Sequence, residues 1–197
     1  MKAHISIREL CVLVVAALVL GFVFGFNDKA PLFNMSYWIQ NYMTMVVLSG
    51  LMLTLYAGFQ KTIAARNKAK ATIVMWKIRR RGWRKPSYLK KRFFQPFESL
   101  MLGIVVPCVI AVLSRGNIPF AGSTETIIEE EAKHKIGRAY PRTSEFETAK
   151  ILAAGPLGVM VVALIAKALS AQIGIFGDIA FIGKSLALSN MIPLPAL

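Results

Sequence analysis

The sequence has little charge, few cysteines and few histidines. Only 17% of its 197 residues are charged and 55% are hydrophobic, whereas soluble domains carry about 25% charged residues. The two cysteines are too few for a disulfide scaffold. Long uncharged runs, such as residues 11–26, exclude a disordered chain and an ordinary soluble domain. Together these features predict a polytopic membrane protein.

Acidic residues are also absent between Asp28 and Glu98, and this stretch holds the whole net charge of +14. Its basic residues are Lys29, Lys61, Arg66, Lys68, Lys70, Lys77, Arg79, Arg80, Arg81, Arg84, Lys85, Lys90, Lys91 and Arg92. Most of them fall in residues 61–96, which we predict to be a basic loop. Because basic loops stay in the cytoplasm, the loop and the N-terminus are both predicted to be cytoplasmic, in a protein of the cell membrane.

Five apolar segments predict an all-α polytopic fold with about five transmembrane helices in a single membrane domain. The segments cover residues 8–26, 42–60, 97–114, 149–169 and 179–197. The first is expected to be an uncleaved span, because the residues after it lack the small side chains of a signal-peptide cleavage site. Since the chain is still apolar at Leu197, we expect the natural protein to continue beyond it.

A polar connection, residues 115–148, separates the third and fourth predicted spans. Residues 118–128 and 135–140 have the composition of two short extended segments and follow a Gly116-Asn117 turn signal. They predict a short β-hairpin between the third and fourth spans.

Groups for catalysis are scarce. His4 and His134 have no partners at metal-ligand spacing, and the chain has no Gly-x-Ser-x-Gly motif, P-loop or carboxylate pair suited to acid–base catalysis. The residues alone therefore predict no metal site and no cofactor. One ionisable group stands out: Lys184 lies inside the last apolar segment. Such residues are functional candidates, although the flexible stem of lysine can also carry its charge toward the membrane surface.

Two motifs in the second half resemble those of a known family. They are Ala154-Gly155-Pro156-Leu157 and, about 35 residues later, Asn190-Met191-Ile192-Pro193-Leu194-Pro195-Ala196-Leu197. They resemble the A-G-P-L-x-N and N-x-x-P-x-P-x-L-D-G motifs of the site-2 proteases, which are intramembrane zinc metalloproteases. Ile7-Arg8-Glu9-Leu10 before a long apolar run is similar to the opening of the compact archaeal-type branch.

The resemblance also implies where a zinc site would lie. Active members carry H-E-x-x-H on a membrane helix, with two zinc-binding histidines and a glutamate base. At the matching positions this chain has Tyr56, Ala57 and Gln60, and Val159 replaces the asparagine of A-G-P-L-x-N. The third ligand, an aspartate, would follow Leu197. The resemblance thus implies a catalytically dead member with a vestigial site and without zinc.

The vestigial site comprises Tyr56, Ala57, Gln60, Gly155, Pro156, Val159, Asn190, Pro193 and Pro195. We expect residues 190–197 to face the Tyr56–Gln60 turn. Since polar groups inside a membrane need partners, Tyr56 and Gln60 should hydrogen-bond each other, Asn190 or a backbone carbonyl.

The leading functional hypothesis is an accessory or scaffold subunit that binds transmembrane helices of a larger membrane complex. One alternative is an active intramembrane protease whose ligands lie in sequence not seen here or in a partner. Another is anchoring of the basic loop to anionic lipid headgroups or to the ribosome, although nucleic-acid binding is the less favoured form. The headgroup contacts would be Arg79, Arg80, Arg81, Arg84, Lys85, Lys90, Lys91, Arg92, Trp76 and Trp83.

Overall fold

The computed structural model describes residues 6–27, 34–67, 69–76, 102–130, 144–171 and 173–191. This part of the chain is mostly helical, as predicted, with one small sheet. In chain order its elements are α1 (Ile7–Gly25), α2 (Met35–Arg66), β1 (Ala69–Met75), α3 (Leu102–Leu113), β2 (Thr124–Glu130), α4 (Glu145–Leu169) and α5 (Gly174–Met191).

Three helices, α1, α2 and α4, are long and apolar enough to cross a membrane. Helix α2 has 32 residues, so it extends about 48 Å and exceeds the roughly 30 Å hydrocarbon core of a bilayer. Helices α1 and α2 run antiparallel in close contact, because Gly21 and Gly25 of α1 let its backbone approach Val46 and Tyr42 of α2. These three helices correspond to the first, second and fourth predicted spans.

The third and fifth predicted spans do not meet the same criterion in the described residues. Helix α3 has 12 residues, about 18 Å, and residues 97–101 of the predicted span lie outside the described ranges. Helix α5 begins at Gly174, five residues before the predicted start at residue 179, and it carries Asp178 and Lys184, which lower its hydropathy. Residues 192–197 also lie outside the described ranges, so five spans remain a prediction.

The two-stranded sheet differs from the predicted hairpin. Strand β2 pairs with β1 in antiparallel register, from Ala69 opposite Glu130 to Met75 opposite Thr124. The predicted partner segment, residues 135–140, lies outside the described residues. The predicted hairpin therefore stays a prediction, whereas the pairing with β1 was not predicted. Strand β1 comes from the stretch assigned to the basic loop, where charge concealed a period-2 pattern. Alternate residues of β1 are buried, from Ala69 through Ile73 to Met75, whereas Lys70 is exposed.

The sheet is tied to the helices at its far end. The backbone N–H of Trp76 donates to Ser123, and the N–H of Gly103, at the start of α3, donates to the carbonyl of Trp76. The side-chain hydroxyl of Ser189 on α5 accepts a 3.0 Å hydrogen bond from the N–H of Ala121. The short helix α3 and the segment before β2 are therefore held in place by hydrogen bonds that the apolar pattern does not reveal.

The main hydrophobic core lies where α1, α2, α4 and α5 meet, and it reaches β1 through Ile73. Leu20, Met52, Val159 and Ile182, one from each helix, are all fully buried there. The core thus connects the three long apolar helices with α5 and positions α2 against α4, where the predicted site lies.

Candidate functional site: a buried polar network between α2, α4 and β2

Tyr56 and Gln60 lie one turn apart on α2 and face the interior. Tyr56 is 6% exposed and Gln60 is 1% exposed. The side-chain amide of Gln60 donates a 3.2 Å hydrogen bond to the phenolic oxygen of Tyr56. Positions four residues apart share a helix face, so the spacing of Tyr56 and Gln60 brings their side chains together. This contact between them was among those expected from the sequence.

The same amide nitrogen of Gln60 also donates to the backbone carbonyl of Leu152 on α4, at 3.3 Å. That carbonyl lacks its ordinary helical donor, because the residue four positions later is Pro156, which has no N–H. Gln60 therefore supplies, from another helix, the hydrogen bond that Pro156 removes. A backbone carbonyl was one of the expected partners, but the sequence analysis did not identify it as that of Leu152.

Thr126 of β2 completes the network. Its hydroxyl donates a 2.7 Å hydrogen bond to the side-chain oxygen of Gln60. Both amide protons of Gln60 and its oxygen are thus engaged, and the amide joins α2, α4 and β2. Thr126 was not predicted, since nothing in the sequence showed which residues of the polar connection would reach α2.

Small and apolar residues close the rest of the site. A Cβ added to Gly155 would lie 2.8 Å from a ring carbon of Tyr56 and 2.9 Å from the Cγ of Gln60. Glycine therefore allows α4 to contact the polar pair directly. Ala57 and Val159 are buried in the core that also contains Tyr56. Tyr56, Ala57 and Val159 thus share one buried cluster, and Gln60 and Gly155 contact Tyr56. That these residues are the remnant of a zinc site stays a prediction.

Asn190 does not join this network. Its side-chain amide donates a 2.8 Å hydrogen bond to the carbonyl of Leu186, one turn earlier in α5. Of the three expected kinds of partner for Tyr56 and Gln60, Asn190 is therefore the one not used. Pro193 and Pro195 lie outside the described residues, so the placement of the 190–197 segment stays a prediction.

The residues at this site do not fit a zinc ion. A neutral phenol and a carboxamide are poor ligands for zinc. Both the nitrogen and the oxygen of the Gln60 side chain already make hydrogen bonds. Ala57 has no group that takes a proton from water. Across the described ranges no cluster of three histidine, cysteine, aspartate or glutamate residues is suited to a metal.

A second buried polar contact lies beside the network. Glu9 of α1 and Lys61 of α2 form a 2.8 Å ion pair with 7% and 9% of their side chains exposed. The other carboxylate oxygen of Glu9 accepts a 3.2 Å hydrogen bond from the backbone N–H of Ile73 in β1. This pair was not predicted, because Glu9 was assigned to an opening motif and Lys61 to the basic stretch.

Among the proposed headgroup contacts, the structure describes only Trp76. It is partly exposed and follows the last residue of β1. The others lie outside the described residues, and their contact with lipid stays a prediction. They are Arg79, Arg80, Arg81, Trp83, Arg84, Lys85, Lys90, Lys91 and Arg92.

Comparisons with known protein families, with curated protein sequences and with solved structures find no match for this chain.

Proposed function

We propose that this chain is a non-catalytic, site-2-protease-like membrane protein that acts as an accessory subunit and binds transmembrane helices of a larger complex. The observation that carries the proposal is the closed network around Gln60. At the positions that match the family's two histidines, the side chains of Tyr56 and Gln60 hydrogen-bond to each other. Gln60 also bonds to Thr126 and to the carbonyl of Leu152. These contacts leave no open ligand position.

Burial supports the same conclusion. A hydrolytic site needs room for water and for the peptide bond that is cut. Here Gln60, Ala57 and Val159 are each at most 2% exposed, and Gly155 packs directly on Tyr56. This burial therefore suits a contact between helices rather than a hydrolytic site.

The outer surface supports a role in helix binding. Residues such as Val47 on α2 and Leu164 on α4 are 69% and 62% exposed, so the long apolar helices present faces that suit lipid or other helices. Association in membranes depends on close packing and on interhelical polar contacts. A scaffold that keeps rigid helices but lacks hydrolytic groups is suited to this task.

Elemental analysis of the purified full chain, together with a cleavage assay on a transmembrane substrate, tests the proposal. We expect no stoichiometric zinc and no cleavage. Stoichiometric zinc with cleavage would favour the active protease instead. The triple variant Tyr56→His, Ala57→Glu, Gln60→His should remain inactive, because Val159 still replaces the family's asparagine.

A further inference from the structure

Lys184 lies on the outer face of α5 among apolar residues. It is exposed, as are Phe181 and Leu188, which are three residues before it and four residues after it and so share its helix face. The next residue on this face, Met191, is 44% exposed. A single positive charge thus interrupts an exposed apolar face. At one end of this face the Phe181 ring also packs edge-on against Phe24 of α1, with 5.8 Å between the ring centroids.

Contacts of the neighbouring residue place Lys184 at mid-depth. A Cβ added to Gly183 would lie 2.6 Å from the end of Met52 on α2 and 2.9 Å from Ala163 on α4. Met52 is about halfway between Tyr42, at the aromatic end of α2, and Lys61, about 14–15 Å along the helix from each. Lys184 is therefore level with the middle of α2, which is long and apolar enough to cross a membrane. On α4, Ala163 lies six residues before the end of the helix.

At this depth the charge needs a partner. The stem of lysine covers about one helical turn, which is too short to reach either end of α2. The structure shows no ion pair between Lys184 and another residue of the described ranges. Asp178, on the same helix, is half-buried and six residues away, a spacing that places it on a different face.

We propose that the face formed by Phe181, Lys184 and Leu188 binds a transmembrane helix that carries an aspartate or glutamate near its midpoint. The carboxylate neutralises the Lys184 ammonium, and the flanking apolar side chains pack on the partner helix. Charge complementarity selects this occupant, because a purely apolar helix leaves the ammonium unpaired in hydrocarbon. The inference rests on the proposed function and assigns one binding face and the chemistry of its partner.

A designed peptide tests this assignment. The full chain, with a photocrosslinking residue at Leu188, is reconstituted in phosphatidylcholine vesicles with a leucine–alanine transmembrane peptide that bears a central Glu. An otherwise identical peptide bears Gln. We expect about 3-fold to 30-fold more crosslinking with the Glu peptide. Lys184→Arg should keep this preference, Lys184→Met should lose it, and Lys184→Glu should transfer it to a peptide with a central Lys.

A crosslinker at Leu164, on the exposed face of α4, is the matched control and should show no preference. Equal yields for the Glu and Gln peptides at Leu188, or a preference that persists in Lys184→Met, would overturn the assignment. Either result would leave the accessory-subunit proposal standing if zinc and cleavage are absent. Stoichiometric zinc with cleavage would reject that proposal without changing the outcome of the peptide experiment.

Discussion

Gln60 supplies the hydrogen-bond donor that Pro156 lacks. Proline within a helix frees the carbonyl four residues earlier, here that of Leu152, and the side-chain amide of Gln60 donates to it from the neighbouring helix. A carbonyl without a hydrogen-bond donor inside a membrane is costly. The hydrogen bond from Gln60 on α2 therefore offsets the cost of having Pro156 within α4. The side-chain amide of Gln60 therefore satisfies a backbone carbonyl that α4 itself leaves free.

The first prediction concerns this coupling. Gln60→Leu should lower the free energy of unfolding by about 1–3 kcal/mol, because it removes three hydrogen bonds and leaves the Leu152 carbonyl and the Thr126 hydroxyl without their partner. Unfolding in mixed micelles measures the change. Gln40→Leu is the matched control, since Gln40 is exposed near the start of α2, and it should change stability little.

The same Gln60→Leu change measured in a Pro156→Ala variant tests whether Gln60 serves the Leu152 carbonyl. Alanine restores an N–H that bonds to Leu152 within α4, so Gln60→Leu should cost less in this background, by about 0.5–1.5 kcal/mol. Equal costs with Pro156 and with Ala at that position would show that Gln60 does not serve the freed carbonyl.

The second prediction concerns the buried ion pair. Lys61→Met leaves the Glu9 carboxylate buried without its cation, and Glu9→Leu removes the carboxylate that the Lys61 ammonium contacts, so each should destabilise by about 3–5 kcal/mol. The double variant should cost clearly less than the sum of the two. Since Glu9 also accepts from the N–H of Ile73, variants at Glu9 should in addition raise the amide hydrogen exchange of β1.

Arg66→Met is the control for this pair, because Arg66 is an exposed cation five residues further along α2. It should change the free energy of unfolding by well under 1 kcal/mol. If Lys61→Met proves as mild as Arg66→Met, the ion pair contributes no stability.

The sequence predicted the apolar helices and the neighbours at the site well, because both follow from short-range patterns. The i, i+4 spacing places Tyr56 and Gln60 on one face, and the apolar runs identify α1, α2 and α4. Thr126 and Leu152 were not predicted, since their contacts depend on how β2 and α4 pack against α2. In retrospect, Pro156 carried a usable signal, because a proline within a helix indicates a free carbonyl four residues earlier.

Strand β1 and the Glu9–Lys61 pair were missed for a different reason. Strand β1 and Lys61 both lie where basic residues dominate the composition, so the stretch was predicted to be a loop. Glu9 lies far away in the sequence, at the start of the first apolar helix. Burial of Ala69, Ala71 and Ile73 reflects contact with α1 and α2, which composition does not encode. The sequence likewise gave no reason to expect that one lysine of the basic stretch, Lys61, would be buried against an acid of the first helix.

The third prediction compares two glycines, Gly155 of α4 and Gly58 of α2. Gly155→Ala should destabilise by about 1–3 kcal/mol, because the new methyl group meets the ring of Tyr56 at 2.8 Å. Gly58→Ala should instead stabilise by about 0.5–1 kcal/mol, since a Cβ there has no atom within 4 Å and alanine favours the helix. Opposite signs in the same unfolding assay identify close packing at Gly155, and a stabilising Gly155→Ala would contradict it.

The fourth prediction tests the register of the sheet. Val74 lies directly opposite Glu125, so cysteines at these two positions have Cα atoms about 5 Å apart, within disulfide range. They should oxidise readily in a chain whose Cys11 and Cys108 are replaced by alanine. Cysteines at Val74 and Thr126 point to opposite faces and should remain reduced. Efficient bonding of the shifted pair would indicate a one-residue slip.

The fifth prediction concerns orientation in the membrane. Helices α1 and α2 run antiparallel, with Lys61 beside Glu9 at one end and Tyr37 near the opposite end of α2. The positive-inside rule places the basic stretch after Lys61 in the cytoplasm. In the chain without Cys11 and Cys108, a membrane-impermeant maleimide should therefore label Ser87→Cys only in inverted vesicles. It should label Tyr37→Cys in intact cells, because about 36 Å of α2 separates Tyr37 from Lys61. The reverse pattern would invert the topology, and labelling of both positions from one side would show that α2 does not cross the membrane.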